Sequence, residues 1–195
     1  MGTLTRIAVA VGAAVLSVVA IGAPVAATAP GRLSAPLVVG AAAGAGAAGG
    51  AVPRPDPATC PMTPHGAVVD RAAQRAWLCD GGVVVRWMPI TSATDQPDPG
   101  VYEIYAEDVA TTSRYGPRPS VLDHFVAFTR GKYEGARIGF HAVPRYDDGT
   151  LAQPLETVGA PELAGASSGC IRLRPDDAAF LFAVLTVGDQ VHVIS

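Results

Sequence analysis

The sequence predicts a mainly-β domain, a sandwich or barrel-like arrangement with one short helix. Three observations predict it. Short apolar runs, many alternating or β-branched, recur from Val68 to Ile194. Gly- and Pro-containing turns separate them, and only Ala178 to Leu185 reads as a convincing helix. These runs begin after about Thr59, and residues 59–195 are enough for a single core.

The elements follow in order. Val68-Val69-Asp70 and Gln74 to Cys79 read as two strands around a polar turn, and Asp80-Gly81-Gly82 marks a hairpin turn. Val83 to Ile90 is a third strand, with Pro89 signalling an edge or a bulge. Gln96-Pro97-Asp98-Pro99-Gly100 is a rigid turn leading into Val101 to Tyr105. Ser113 to Ser120 is a polar loop, followed by strands over Phe125 to Thr129 and Arg137 to His141. Val143 to Ala166 has no period, and a loop of that length inside a compact domain is usually functional. Pro175-Asp176-Asp177 suits the first turn of the helix, and Gln190 to Ile194 closes the chain as a strand.

Upstream, Arg6 is followed by an uncharged apolar run, Ile7 to Ala23, and by the small-x-small site Ala27-Thr28-Ala29. This is the layout of a secretory signal peptide over residues 1–29, and it implies an exported protein on the outer side of the cytoplasmic membrane. The alternative is an uncleaved membrane anchor, because the run approaches a bilayer span. Residues 30–58 form an Ala/Gly/Pro-rich linker that cannot bury a core. Gly44 to Gly49 matches the dinucleotide fingerprint by composition alone, with no strand before it and no helix after it.

A formal charge of −3 with no basic cluster argues against a nucleic-acid partner. Three cysteines in an exported chain suggest one disulfide and one spare thiol. Cys60 and Cys79 are the nearest pair in sequence; the alternative is that both are reduced and buried.

The spare thiol, Cys170, follows Ser167-Ser168-Gly169 and precedes Ile171-Arg172-Leu173. A glycine before a nucleophile lets backbone N–H groups approach an oxyanion, so the backbone at Ser168, Gly169 and Cys170 supplies the oxyanion candidates. A thiol needs a base. Of four histidines, His65 stands beside the linker, His124 opens a strand, and His192 alternates away from Val191 and Val193 towards solvent. His141 ends a strand in an aromatic setting, at the opposite end of the long loop from Cys170. With no side chain nearby to fix its tautomer, the Ala142 carbonyl is the expected partner. The competing reading is an inert buried thiol and a structural histidine. A zinc site needs locally spaced ligands such as Cys-x-x-Cys, which are lacking, so neither metal nor cofactor is expected.

Ile138-Gly139-Phe140-His141 and Ser167-Ser168-Gly169-Cys170-Ile171-Arg172-Leu173 together resemble the L,D-transpeptidase (YkuD-type) catalytic domain of bacterial cell-wall enzymes. Pro97 to Tyr102 resembles its Pro-Thr-Pro-x-Gly turn and Gly188 to Val191 its closing strand, so the likeness spans residues 66–195. Ser168 stands where many members carry His, and the His-to-Cys loop is longer than usual. The resemblance implies a β-sandwich with a short helix after the catalytic Cys, and a cysteine acyltransferase of cell-wall biogenesis without a cofactor. Cys170 would be the nucleophile and His141 the proton carrier. The implied donor is a peptidoglycan stem tetrapeptide and the acceptor an amine of a second stem. Arg172, by binding a carboxylate, and Ser167 are the candidate substrate-binding residues, with Tyr115, Tyr133 and Tyr146 as candidate cleft residues. A structural ion pair is the other reading of Arg172. Two further functions stay open: a carboxypeptidase or amide hydrolase using the same pair, and a non-catalytic wall-binding module.

Overall fold

A computed structural model describes residues 59–195; the expected signal peptide and linker lie outside the described residues. Strands β1 (His65–Asp70), β2 (Arg75–Asp80) and β3 (Val83–Pro89) form an antiparallel meander. Its β2–β3 turn uses Gly81 and Gly82, both at positive φ, where a side chain would be strained. The next strands are β4 (Gly100–Glu103), β5 (Ala106–Ser113), β6 (Ser120–Arg130), β7 (Arg137–Ala142) and β8 (Ile171–Leu173). Helix α1 (Pro175–Val184) and strand β9 (Gln190–Val193) complete the chain. One sheet has the order β3-β2-β1-β9-β4 and the other β5-β6-β7-β8, so the fold is mainly β with two sheets and one helix, as expected.

Alternation decides which face of the second sheet meets the core. Val126 and Phe128 on β6, Ile138, Phe140 and Ala142 on β7, and Ile171 and Leu173 on β8 join one buried cluster. The same cluster takes Ala67, Val69, Leu78 and Val191 from the first sheet and Ala178, Leu181 and Leu185 from the helical segment. Truncating Leu181, which is fully buried, removes a side chain worth about 2–5 kcal/mol in such a setting. Helix α1 opens with Pro175 and two aspartates, as its sequence suggested. Asp177 also accepts from Arg86 at 2.6 Å, which ties the helix to β3.

The alternate positions of the second sheet face away from this core. They include Phe125, Gly139, His141, Cys170 and Arg172. Leu122, Phe125 and Ala127 make a small cluster there, with Cys170 packed against it.

Strand β5 was not foreseen. It is an edge strand with no buried position, and its one large apolar side chain, Val109, is exposed, so it has no apolar alternation to detect. β6 begins five residues earlier than the Phe125 to Thr129 reading, since its first half crosses Asp123 and His124, the latter at φ +57°. The stretch from Val143 to Ala166 is irregular, with two 3₁₀ turns, Leu155–Thr157 and Pro161–Leu163. Its first part is fastened to the β5–β6 hairpin. Arg145 bridges Val121, and Arg118 lies 3.8 Å from the Tyr146 ring centroid while donating to Asp148 at 2.7 Å.

Cys60 and Cys79 are disulfide-bonded, with α-carbons 5.9 Å apart, and both are buried beside Val68 and Trp77. His192 is half-buried rather than solvated, because its Nδ1 lies 2.8 Å from the Thr59 carbonyl just before that disulfide. In the chain-entropy model a bridge across 19 positions stabilises by about 3 kcal/mol. Replacing both cysteines by serine is therefore expected to lower the melting temperature by about 10 °C, read by calorimetry under non-reducing conditions.

Candidate active site

β7 and β8 run parallel, with Phe140 opposite Ile171 and His141 opposite Arg172. One step back, Cys170 stands opposite Gly139. Cys170 and His141 are thus diagonal neighbours on the outer face of adjacent strands. Such positions have α-carbons on the order of 7 Å apart, within reach of long and aromatic side chains. Both side chains line one cavity of about 630 Å³, together with Phe125, Arg137, Ser168 and Arg172. Gly139, opposite the thiol, packs directly on the backbone of β6. A Cβ there would lie 2.3 Å from the Val126 carbonyl oxygen, so the strand accepts no side chain beside the thiol.

His141 is 2% exposed and stacks on Phe125, with ring centroids 6.0 Å apart. Its Nδ1 lies 2.6 Å from the Ala142 carbonyl oxygen. Burial is the main reason its pKa falls to about 4; the Ala142 carbonyl pulls it up and Arg172 pushes it further down. The ring is therefore neutral at pH 7. A carbonyl oxygen only accepts, so Nδ1 carries the proton and Nε2 presents its lone pair.

Cys170 is the free cysteine. Burial pushes its thiol pKa up, partly offset by a backbone hydrogen bond from Gly139 and by the charges of Arg172 and Arg137. In the resting state Sγ donates to the Arg137 carbonyl at 3.6 Å. The pair is thus a protonated thiol and a neutral imidazole, not a preformed ion pair. Chemistry from this state requires general-base transfer of the thiol proton as the carbonyl approaches.

The turn before Cys170 corrects two sequence expectations. The Gly169 N–H donates to the Ser167 hydroxyl at 3.2 Å and is buried, so it is not available to an oxyanion. The Ser168 carbonyl accepts from Gln96 Nε2, so the Ser168–Gly169 peptide is held at both ends. The Ser167 hydroxyl donates to the Cys170 carbonyl at 2.7 Å; Ser167 shapes the turn and does not bind substrate through that group. No described hydrogen bond engages the Cys170 N–H, so it stays available as an oxyanion donor. Gly169 keeps another role. At φ +138°, with a Cβ position 2.8 Å from Ile138 Cδ1, only glycine fits.

Arg172 is half-buried, and burial lowers its pKa. Its Nη1 donates to Gln153 Oε1 at 3.2 Å, and Gln153 in turn donates to Thr91 Oγ1 at 3.0 Å. No carboxylate pairs with it among the described residues, so the ion-pair reading is replaced by this amide brace. The rest of its guanidinium fork is left to the cavity it lines. Tyr115 and Tyr133 also line the cavity; Tyr146 does not, because Arg118 covers its ring. Sequence reasoning missed Gln96, Gln153 and Arg137. No local pattern marks them, since each acts through partners far away in the chain. Among the described residues, no three His, Cys, Asp or Glu side chains are grouped to hold a metal.

The family model for the L,D-transpeptidase catalytic domain (YkuD) matches residues 64–193. No curated protein matches the chain. Among solved structures, the L,D-transpeptidase LdtMt1 in complex with imipenem is similar at 20% identity and a TM-score of 0.53, covering 67% of this chain and 59% of that one. An L,D-transpeptidase from Mycobacterium smegmatis is similar at 22% identity and 0.52, covering 68% and 59%. A mutant of the Enterococcus faecium L,D-transpeptidase is similar at 23% and 0.52, covering 67% and 49%. At these identities the structural likeness concerns the fold. The chain spans less than two thirds of the length of each of these three proteins.

The buried imidazole makes stability depend on pH in a fixed direction. His141 has a folded pKa of about 4 against an ordinary value of 6.5. Above pH 6.5 neither state is protonated and His141 contributes no pH dependence. As pH falls from 6.5 to 4, the unfolded chain gains a proton that the folded one refuses, and stability drops by about 3 kcal/mol. Urea titrations across that range are expected to show this slope in the wild type and to lose it in His141→Gln.

Proposed function

The chain belongs to the L,D-transpeptidase catalytic-domain family, and from that premise we propose that it is an exported cysteine acyltransferase that cross-links peptidoglycan stems. The observation that carries this reading is the placement of Cys170 and His141 on one cavity wall, with the Ala142 carbonyl holding the imidazole as an Nε2 base. The donor is a stem tetrapeptide. Cys170 Sγ bonds to the carbonyl carbon of its third residue while His141 takes the thiol proton. The carbonyl oxygen, now negative, accepts from the Cys170 N–H. The C–N bond to the terminal D-Ala then breaks, and the imidazolium gives its proton to the leaving amine. In the second half an acceptor amine attacks the thioester. Its proton passes through His141 back to the departing sulfur, leaving a direct cross-link between third residues.

Burial raises the thiol pKa and lowers that of the imidazole, so spontaneous ionisation is disfavoured. Proton transfer is coupled instead to the arrival of the carbonyl. Arg172 binds a stem carboxylate, supported by its half-buried position on the cavity wall and by the absence of a carboxylate partner among the described residues.

The test is incubation of the full chain with purified disaccharide-tetrapeptide and mass spectrometry of the products. A cross-linked dimer with loss of D-Ala is expected. Tripeptide alone assigns water as the acceptor and a carboxypeptidase activity, and unchanged substrate removes the enzymatic reading. Cys170→Ala is expected to abolish turnover with little change in melting temperature. Imipenem, which is found bound to LdtMt1, is expected to add covalently to the wild type and not to Cys170→Ala.

A further inference from the structure

Gln96 is 2% exposed and lines the same cavity, yet it belongs to neither catalytic strand. Its amide joins two segments that are remote in sequence. Oε1 accepts from the Lys132 N–H at 2.8 Å, at the tip of the β6–β7 hairpin. Nε2 donates to the Ser168 carbonyl, 72 positions away, in the turn that ends at the nucleophile. Two glycines make room for it. A Cβ on Gly131 would lie 2.8 Å from Gln96 Oε1, and one on Gly169 would lie 3.0 Å from Nε2. The hairpin tip is fixed to the same 95–98 segment twice more. Lys132 Nζ donates to the Asp95 carbonyl at 2.6 Å and pairs with Asp98 at 3.3 Å.

The contact with Ser168 has a geometric effect. A peptide plane carries its carbonyl and its N–H on opposite edges. Pinning the Ser168 carbonyl to Gln96 turns the Gly169 N–H onto the Ser167 hydroxyl, which in turn holds the Cys170 carbonyl. With both flanking groups held, the next peptide is fixed, and it carries the Cys170 N–H. We infer that Gln96 is a positioning residue that aims the Cys170 N–H at the carbonyl oxygen of the acyl donor. It acts through the Ser168–Gly169 peptide and does not touch the substrate. The inference rests on the proposed role of Cys170 as nucleophile.

Two variants of the full chain separate aim from scaffold. Gln96→Glu keeps an acceptor for the Lys132 N–H and removes the donor to Ser168; Gln96→Met keeps the volume and removes both. Each is compared with the wild type in two reactions of the same sulfur, acylation by imipenem and alkylation by iodoacetamide. Alkylation forms no oxyanion, so it reports the thiol without the N–H. Acylation is expected to fall about 100-fold in both variants, the usual cost of a misplaced catalytic group, while alkylation stays within about two-fold of wild type because the thiol itself is unchanged. Acylation at the wild-type rate in either variant overturns the inference. So does a parallel fall of both rates with the melting temperature, which would assign Gln96 to the scaffold alone. Failure of the wild type itself to be acylated at Cys170 would instead remove the parent reading.

Discussion

The site depends on one constraint, the parallel pairing of β7 with β8 in a single register. Opposing Phe140 to Ile171 sends one set of alternate residues into the core and the other into the cavity. A slip of one position would bury Cys170 and Arg172 and expose Ile171 and Leu173. The apolar side chains at Ile138, Phe140, Ile171 and Leu173 therefore hold the thiol and the imidazole on one face. The same pairing accounts for the length of the chain between His141 and Cys170. Parallel neighbours cannot be joined by a tight hairpin and need a crossover of a dozen or more residues. Here the crossover is fastened to the β5–β6 hairpin through Arg145, Arg118 and Tyr146, so it forms a fixed wall of the site.

Electrostatics inside this frame favour restraint over readiness. Burial acts on both partners and keeps both neutral, raising the thiol and lowering the imidazole. A neutral imidazole with its proton on Nδ1 is oriented by the Ala142 carbonyl without a carboxylate. That carbonyl supplies less stabilisation to an imidazolium than a charged third member would, so the pair stays neutral at rest. The two arginines on the cavity wall then favour the anionic sulfur when it forms.

Much of this was legible in the sequence, and the parts that were not share a cause. Cys170, His141 and the Ala142 carbonyl could be named because their chemistry is local: a thiol after glycine, a histidine in an aromatic setting, and no side chain nearby to hold it. The core of β7 was visible as alternation. β5 was not, because an edge strand with no buried face leaves no period. The oxyanion assignment to Gly169 failed because adjacency to a nucleophile says nothing of where an N–H points. That direction is set by Ser167 and Gln96, the second of which lies 72 positions from its partner. Arg172 was read as either a substrate group or half of an ion pair, and its partner proved to be the amide of Gln153, a residue with no distinguishing context.

The Cys60–Cys79 bond has a mechanical meaning beyond its effect on melting. β1 begins five residues after Cys60, so without the bond any pull arriving from the N-terminal side would load the start of β1 and peel its ladder bonds one at a time. With it, tension leaves the main chain at Cys60 and enters the sheet at Cys79, near the far end of β2. The load then bypasses the run from Cys60 to β1 and enters β2 opposite Gly66, in a strand held by β1 on one side and β3 on the other.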